Sequence, residues 1–312
     1  MSTISADYAL QAVKGIKEDF DNSAKESLNI YQDNQIFDFY QTDEVFEIYT
    51  STESMGGVKE LTNTEEPPIL NLEEGYSVQV SEIRFGGAIV LDEPTYRRNK
   101  IDSTMKVDSY VAKQAAGLIR ANIKYFLTKS FLLLNDSFTG TTYKAPDGNA
   151  IFGEHEWKTT NAAKFNNSTD AVLSEAAMDE AWEYAGSFKD AAGIESPLNW
   201  THIIVKKGSA AARTARKLFA ESISPVAVGD INLYQGTLTV VETPFITDAN
   251  KTCWFLRDAS YDNSLKVGIG EYPTMREPIV LENEAIRTNV TGFAKFGCVN
   301  MPFDWYGSTG AA

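Results

Sequence analysis

The chain predicts an α+β fold on three observations: a helical period of unusual length in its middle, an acidic two-stranded excursion before it, and a second half in which short helices and strands alternate. Its 312 residues are 43% hydrophobic, enough for a sizeable core in one large domain or two interleaved ones. A formal net charge of −15 favours solubility and works against tight contact with a phosphate backbone, so nucleic acid, if a partner, is expected to be enclosed and not gripped.

The first segment reads helical, with Val13, Ile16 and Phe20 on one face, and Ser23-x-x-Glu26 reads as a capping box opening a second run through Leu28. Such an amphipathic arm needs a partner surface. From Val45 to Leu91 the period changes to two: Phe46 and Ile48 alternate, Tyr76, Val78 and Val80 alternate, and Ile83 and Phe85 continue after a one-residue slip that suggests a bulge. Between the limbs stand Gly56-Gly57 and Pro67-Pro68, surrounded by Glu53, Glu60, Glu65, Glu66, Glu73 and Glu74, a composition suited to a projecting tip. This hairpin is expected to serve assembly and to stand outside the monomer's own core, because an isolated ribbon is marginal in water.

After Pro94, residues Val107, Val111, Ala115, Leu118, Ile119, Ile123, Phe126 and Leu127 recur at helical spacing, predicting a rod from about Asp102 or Ser103 to Asn135. Some thirty residues at 1.5 Å rise span roughly 45 Å. Residues 139–170, rich in Gly, Thr, Asn and Asp, read as a loop. Ser174 caps a helix bearing Met178, Ala181, Trp182, Ala185 and Phe188, which Gly193 closes. A buried strand over Trp200–Val205 and a helix capped by Ser209 follow, then strands at Thr237–Val241, Cys253–Leu256, Leu265–Ile269 and Ile286–Phe296.

Little in the chain supports catalysis, and no cofactor is expected. His155 and His202 are its only histidines. Glu154-His155-Glu156 lacks the helical spacing that converges metal ligands and reads as surface polarity, while His202, beside Ile203, reads as a core histidine. Gly208-Ser209-Ala210 opens a helix carrying Arg213, Arg216 and Lys217 but lacks the second glycine and Lys-Ser/Thr of a phosphate loop. Arg97, Arg98 and Lys100 sit among Asp92, Glu93 and Asp102 and suit neutralised surface or a subunit contact better than a DNA site. Cys253 and Cys298 read as free, partly buried thiols, and the Asn-x-Ser/Thr matches at Asn135, Asn166, Asn199, Asn250 and Asn289 as chance. No run is long and apolar enough for a spanning helix, and Met1 to Asp7 lacks the features of a secretory signal, so the chain is expected in the cytoplasm with no membrane partner.

The order of elements resembles the capsid fold of tailed phages, a fold shared with encapsulins. Glu73-Glu74-Gly75 leading into the strand to Phe85, then Ile89-Val90-Leu91-Asp92-Glu93-Pro94, resembles the descending limb of that family's extended loop. Leu132-Leu133-Leu134-Asn135-Asp136-Ser137-Phe138-Thr139-Gly140 is similar to the exit of its spine helix, from which Asp136 and Ser137 depart. The stretch from Ser174 to Val240-Val241-Glu242-Thr243-Pro244 resembles the axial lobe in order, and the Mu-type major head subunit branch is closest in flavour. The resemblance implies an N-terminal arm (1–44), an extended β-hairpin loop (45–95), a peripheral lobe (96–195) with the spine helix (102–135), an axial lobe (196–276) inserted into it, and return strands (277–312).

It further implies a major capsid protein that forms hexamers and pentamers around double-stranded DNA, with portal, scaffolding and decoration proteins as partners and the virion as its location. Axial lobes would meet at the centres of these rings, and hairpins would lie over neighbours. Tip residues Lys59, Glu65, Glu66, Glu73 and Glu74 are then candidates for contact with Arg97, Arg98, Arg120 and Lys124 of a neighbour. No scaffolding segment fits before the arm, so scaffolding is expected to be a separate protein. No covalent Lys–Asn mesh is expected, Lys59 being the only lysine near the tip. The alternatives are an encapsulin-like nanocompartment shell and, outside this class, an α/β enzyme or binding module.

Overall fold

The computed structural model describes residues 13, 14, 17, 20–26, 36–53, 61, 66, 73–92, 107–158, 164–219 and 234–311. After a helical stretch over residues 20–26 come the strands β1 (Asp38–Gln41), β2 (Phe46–Glu53), β3 (Glu73–Ser81) and β4 (Ile83–Leu91), then helix α1 (Val107–Ser130) and the single turn α2 (Leu132–Asn135). After β5 (Glu154–Glu156), β6 (Lys164–Asn166) and β7 (Ser168–Thr169) come α3 (Glu175–Ser187), β8 (His202–Lys206), α4 (Ala210–Phe219) and β9 (Thr239–Thr243). The chain closes with β10 (Trp254–Arg257), β11 (Leu265–Met275), β12 (Ile279–Val280), β13 (Ile286–Cys298) and β14 (Trp305–Ser308).

Two five-stranded sheets organise these elements. In the first, β13 pairs with β11 and β12 and also with β4, while β1 runs parallel to β11. The second has the order β7-β14-β10-β8-β9. The chain builds β1 and β4, crosses α1, makes most of the second sheet, returns for β11 to β13, and ends in β14 of the second. The two halves are therefore interleaved. Three boundaries differ from expectation: β11, placed in the axial lobe, belongs to the first sheet; β14, placed with the return strands, belongs to the second; and α3, placed in the peripheral lobe, packs on the second. Strand pairing decides membership, and Leu265 opposite Cys298 fixes β11 to β13.

The predicted hairpin is shorter than its alternating pattern suggested. β2 pairs with β3 from Phe46–Ser81 outward, but β4 pairs with β13 along Ile83–Ala294 to Leu91–Ile286 and buries Phe85, Ile89 and Leu91. The slip at Glu82, whose N–H donates to the Val45 carbonyl at 2.9 Å, turns the chain from the ribbon into the sheet. The ribbon thus ends at Ser81, and the following strand is core.

Both helix caps read from sequence are formed: the Ser174 hydroxyl accepts from Ala177 N at 3.2 Å and the Ser209 hydroxyl from Ala212 N at 3.0 Å. The expected capping box is not, because residues 20–26 are already continuously helical and Ser23 lies inside the helix. Val13, Phe20 and Ala24 bury against Ile89, Ala115, Ile119 and Val290, so the described part of the arm finds its partner surface on its own subunit. In α1 the Thr128 and Ser130 hydroxyls donate back to the Lys124 and Phe126 carbonyls, a competition that bends helices, and the expected unbroken rod instead breaks at Phe131. The described rod of 24 residues spans about 36 Å. Its predicted start near Asp102 lies outside the described residues.

One core joins α1 to the first sheet and to one face of the second through Phe126, Phe131, Val267, Phe296, Phe255 and Trp305. The other face of the second sheet buries Ile203, Val205, Trp254 and Leu256 beneath α3 and α4. Alternation along β8, with Ile204 in the first core and Ile203 and Val205 in the second, makes this strand the wall between them.

Candidate assembly surface

The ribbon β2–β3 meets the body through charge. Lys295, in the C-terminal part of β13, has no exposed side-chain surface, and its Nζ donates to Glu47 Oε1 at 2.8 Å. Tyr40 OH donates to Glu47 Oε2 at 2.7 Å, and the Thr42 and Tyr49 hydroxyls donate to the same carboxylate. Burial pushes the Glu47 carboxyl up, but the hydrogen bonds from Lys295 and these hydroxyls outweigh it and hold the group down at about 2. Burial and the neighbouring carboxylate raise Tyr49 to about 12 and raise Tyr40 as well. Beside this cluster Val80 closes on Gly297, where an added Cβ would stand 2.9 Å from a Val80 methyl carbon. Only glycine admits that approach.

The opposite face of the ribbon is bare. Phe46 is 54% exposed and Ile48 64%, alternate positions of β2 on the face away from Glu47, and Val45, just before the strand, is 67% exposed. A hydrophobic strip of this kind on an edge marks an interaction surface or an aggregation hazard. The acidic tip drew attention in the sequence, whereas the apolar strip and its buried anchor were missed. The available signal for the anchor was a lysine inside Phe293-Ala294-Lys295-Phe296, a run with no other charge.

Of the candidate contact residues, Lys59, Glu65, Arg97 and Arg98 lie outside the described residues. Glu66 is exposed, Glu73 stands opposite Glu53 in the ribbon, and Glu74 is exposed. Arg120 and Lys124 lie one turn apart on the exposed face of α1, with Arg120 Nε donating to its own helix at Ala116 O. Among the described residues no ion pair joins any of them. Glu66, Glu74, Arg120 and Lys124 are thus exposed to solvent.

The spine exit is tied down by Asn135, whose side chain donates to Phe245 O at 3.0 Å and accepts from Thr247 N at 2.9 Å. The departure at Asp136 has a purpose: its carboxylate gathers the N–H groups of Thr142 and Tyr143 and the Thr139 hydroxyl, and though burial raises it, these bonds hold it below the usual range. Gly140, with φ 58°, packs where a Cβ would meet the Ala150 backbone at 2.9 Å.

His155 is not surface polarity. It is fully buried, with Nδ1 2.9 Å from Asp147 Oδ2 and Nε2 3.1 Å from Ile151 O, and it stacks on Phe165. The flanking Glu154 and Glu156 point the other way, toward Lys164, because alternation along β5 separates them from His155. His202, half-buried at the start of β8, contacts the Thr201 hydroxyl at 2.8 Å, and burial lowers its pKa. Cys253 and Cys298 are free and buried; burial lifts Cys253 to about 11 and raises Cys298 as well. Among the described residues no helix is long and apolar enough to cross a membrane.

Two interleaved sheets, a long helix across them and a ribbon leaving one edge make up the capsid fold of tailed phages. The chain is similar to a chain of Gordonia phage Cozz (10% identity, TM-score 0.53, covering 87% of this chain and 84% of that one). It is also similar to the capsid of Myoviridae Phage XM1 (12%, TM-score 0.50, 89% and 90%) and to the Bacteriophage JBD30 capsid (8%, TM-score 0.52, 68% and 90%). No protein-family model and no curated protein matches the sequence.

Proposed function

We propose that this chain is the major capsid protein of a tailed phage, a structural and non-enzymatic subunit that assembles into hexamers and pentamers of an icosahedral shell. The observation that carries the reading is the fold, held in common with the XM1 and JBD30 capsids. The exposed strip of Val45, Phe46 and Ile48 supports it, since such a ribbon face is stabilised by a neighbour's surface. The charge of −15 suits a wall that encloses double-stranded DNA without reading its sequence.

In this reading the acidic tip, with Lys59, Glu65, Glu66, Glu73 and Glu74, lies against Arg97, Arg98, Arg120 and Lys124 of the adjacent subunit, and assembly weakens at high salt. Portal, scaffolding and decoration proteins are the expected partners, assembly takes place in the host cytoplasm, and the Mu-type branch is the proposed affiliation on sequence resemblance alone. Size-exclusion chromatography with electron microscopy of the full chain tests the proposal. Closed particles are expected, with a single band near 34.5 kDa after boiling; a monomer at every salt and protein concentration would overturn it. A neighbouring portal or terminase gene, as against a peroxidase or ferritin-like gene, separates a phage head from a nanocompartment shell.

A further inference from the structure

Between β4 and α1 the surface opens into a cleft of about 440 Å³, lined by Arg84, Phe85, Leu118, Ala121, Asn122 and Tyr125. Helical spacing puts Leu118, Ala121, Asn122 and Tyr125 on one face of α1. Gly86 and Gly87 leave the facing stretch of β4 without side chains, and a Cβ on Gly87 would stand 2.6 Å from Leu118 Cδ1. The Tyr125 ring stacks on Phe85 at 5.6 Å and is still 40% exposed, so the cleft has an aromatic wall that no described residue covers. Its rim is basic. Arg84 is exposed, with its guanidinium 5.9 Å from the Phe293 ring centroid, and Lys129 lies 5.7 Å from that of Tyr125. Beyond Asp108, α1 carries Lys113, Arg120, Lys124 and Lys129 and no Asp or Glu, in a chain of net charge −15. Among the described residues none of these five cations enters an ion pair.

The strip on β2 has the matching composition. Asp43 and Glu44 are exposed immediately before Val45, Phe46 and Ile48, and among the described residues neither enters an ion pair. Alternation puts Glu47 on the other face of β2, where Lys295 holds it, so Phe46 and Ile48 are turned away from the body. The ribbon's anchor therefore keeps the strip off the cleft of its own subunit.

We infer that the cleft between β4 and α1 of one copy receives the β2 strip of a second copy, with the Phe46 ring on Phe85 and Tyr125 and with Asp43 and Glu44 against the basic rim. The inference rests on the shell reading and names the surface that covers the strip. A second copy is the fitting occupant because the chain itself supplies both halves: an apolar strip bordered by acid and an apolar cleft bordered by base. Arg120 and Lys124, proposed above to meet the acidic tip, stand on the exposed face of the same helix, so strip and tip address one element. Exposed ion pairs hold weakly, so the rim charges set which way the strip lies, while aromatic contact supplies the holding energy.

Cysteine pairing in the full chain tests the contact, read on non-reducing denaturing gels after mild oxidation with diamide. Chains carrying Phe46→Cys are mixed with chains carrying Ala121→Cys and assembled; both positions are exposed in the subunit, whereas Cys253 and Cys298 are buried. A disulfide-linked dimer is expected from the mixture and not from either variant alone. In parallel, Phe46→Ala should raise the protein concentration at which particles form at least roughly tenfold, as loss of a central aromatic anchor does. The melting curve of the unassembled Phe46→Ala subunit should not move, because the ring is exposed there. Particles from the mixture without the linked dimer would overturn the inference while leaving the shell reading intact. If the cysteine variants do not assemble, the Phe46→Ala chain decides, and particles at the native concentration would overturn it. Failure of the native chain to assemble at all would instead count against the shell reading itself.

Discussion

The second sheet and the ribbon β2–β3 are held by opposite means. The sheet buries Trp200, Trp254 and Trp305 almost completely, with indole N–H groups donating to Ala181 O, Ala171 O and the Asn263 side chain. Apolar area holds it, and the three indole N–H groups are satisfied along the way. The ribbon has an exposed apolar face and is fixed to the body by a buried lysine on one glutamate. Apolar burial is tolerant of angle, whereas an ion pair ringed by hydroxyls fixes one orientation. A projecting element that must reach a neighbour at a set angle gains from the second arrangement.

The largest expected effect strikes the sheet. Trp200→Ala removes a side chain 1% exposed and leaves a cavity between α3 and β8, so a loss of about 3–5 kcal/mol is expected in urea denaturation. The whole lobe should lose cooperativity with it. A loss below about 1 kcal/mol would show that the site collapses around the cavity and that the contrast with the ribbon is overdrawn.

Breaking the ribbon's anchor should rank next. Glu47→Gln leaves the Lys295 ammonium buried without a counter-charge, and about 3 kcal/mol of stability should go with it. Lys295→Met in the same chain should recover most of that loss, because it removes the stranded charge and fills the space with an apolar side chain. A double-mutant cycle reads the coupling directly. Independent, additive effects would mean that Glu47 and Lys295 do not act as a pair.

Acidity separates the two regions by sign. Glu47 is held at about 2, below the ordinary carboxylate value, so its contribution is present above about pH 4 and is lost as pH falls toward 2. Asp304, fully buried beside β14, is raised by burial to about 7, with the Ser264 N–H at 3.1 Å as a partial offset. For a carboxyl raised on folding the stability is present below about pH 4 and is lost as pH climbs toward 7. Asp304→Asn should therefore flatten the decline between pH 4 and 7, while Lys295→Met should flatten the decline below pH 4. Melting temperatures across pH for both variants decide this; identical profiles would remove the distinction.

Periodicity made much of this fold legible before any coordinates. The α1 stripe through Ala115, Ile119 and Phe126 was plain because only one face of it is buried, and the caps at Ser174 and Ser209 follow from local hydroxyl chemistry. Sheet membership was not legible. Ile83, Phe85, Ile89 and Leu91 alternate just as the ribbon does, and only pairing with β13, some two hundred residues on, assigns them to the core. β1 escaped notice for a related reason: Asp38-Phe39-Tyr40-Gln41 is short, and its parallel partner β11 is equally remote. Of the candidate surface, the charges were readable as composition. The Glu47–Lys295 anchor was not, because it joins residues distant in sequence through the third dimension.

The smallest effect on stability should come from the tip. The ribbon's ladder closes at Glu53 opposite Glu73, and its anchor lies at the far end, at Glu47 and Val80. Replacing residues 55–72 with a short Gly-Ser turn therefore leaves anchor and ladder in place, and shortening the loop changes closure entropy by only about 1 kcal/mol, in the stabilising direction. The melting curve should stay almost unchanged. Assembly should not survive, because the deleted segment carries Lys59, Glu65 and Glu66, three of the five tip charges proposed to reach the neighbour. A folded subunit that no longer closes into particles is the outcome that sharpens the comparison, since it divides the ribbon into a base that belongs to the subunit and a tip that belongs to the shell. Normal particles from this variant, or an unfolded subunit, would each erase that division.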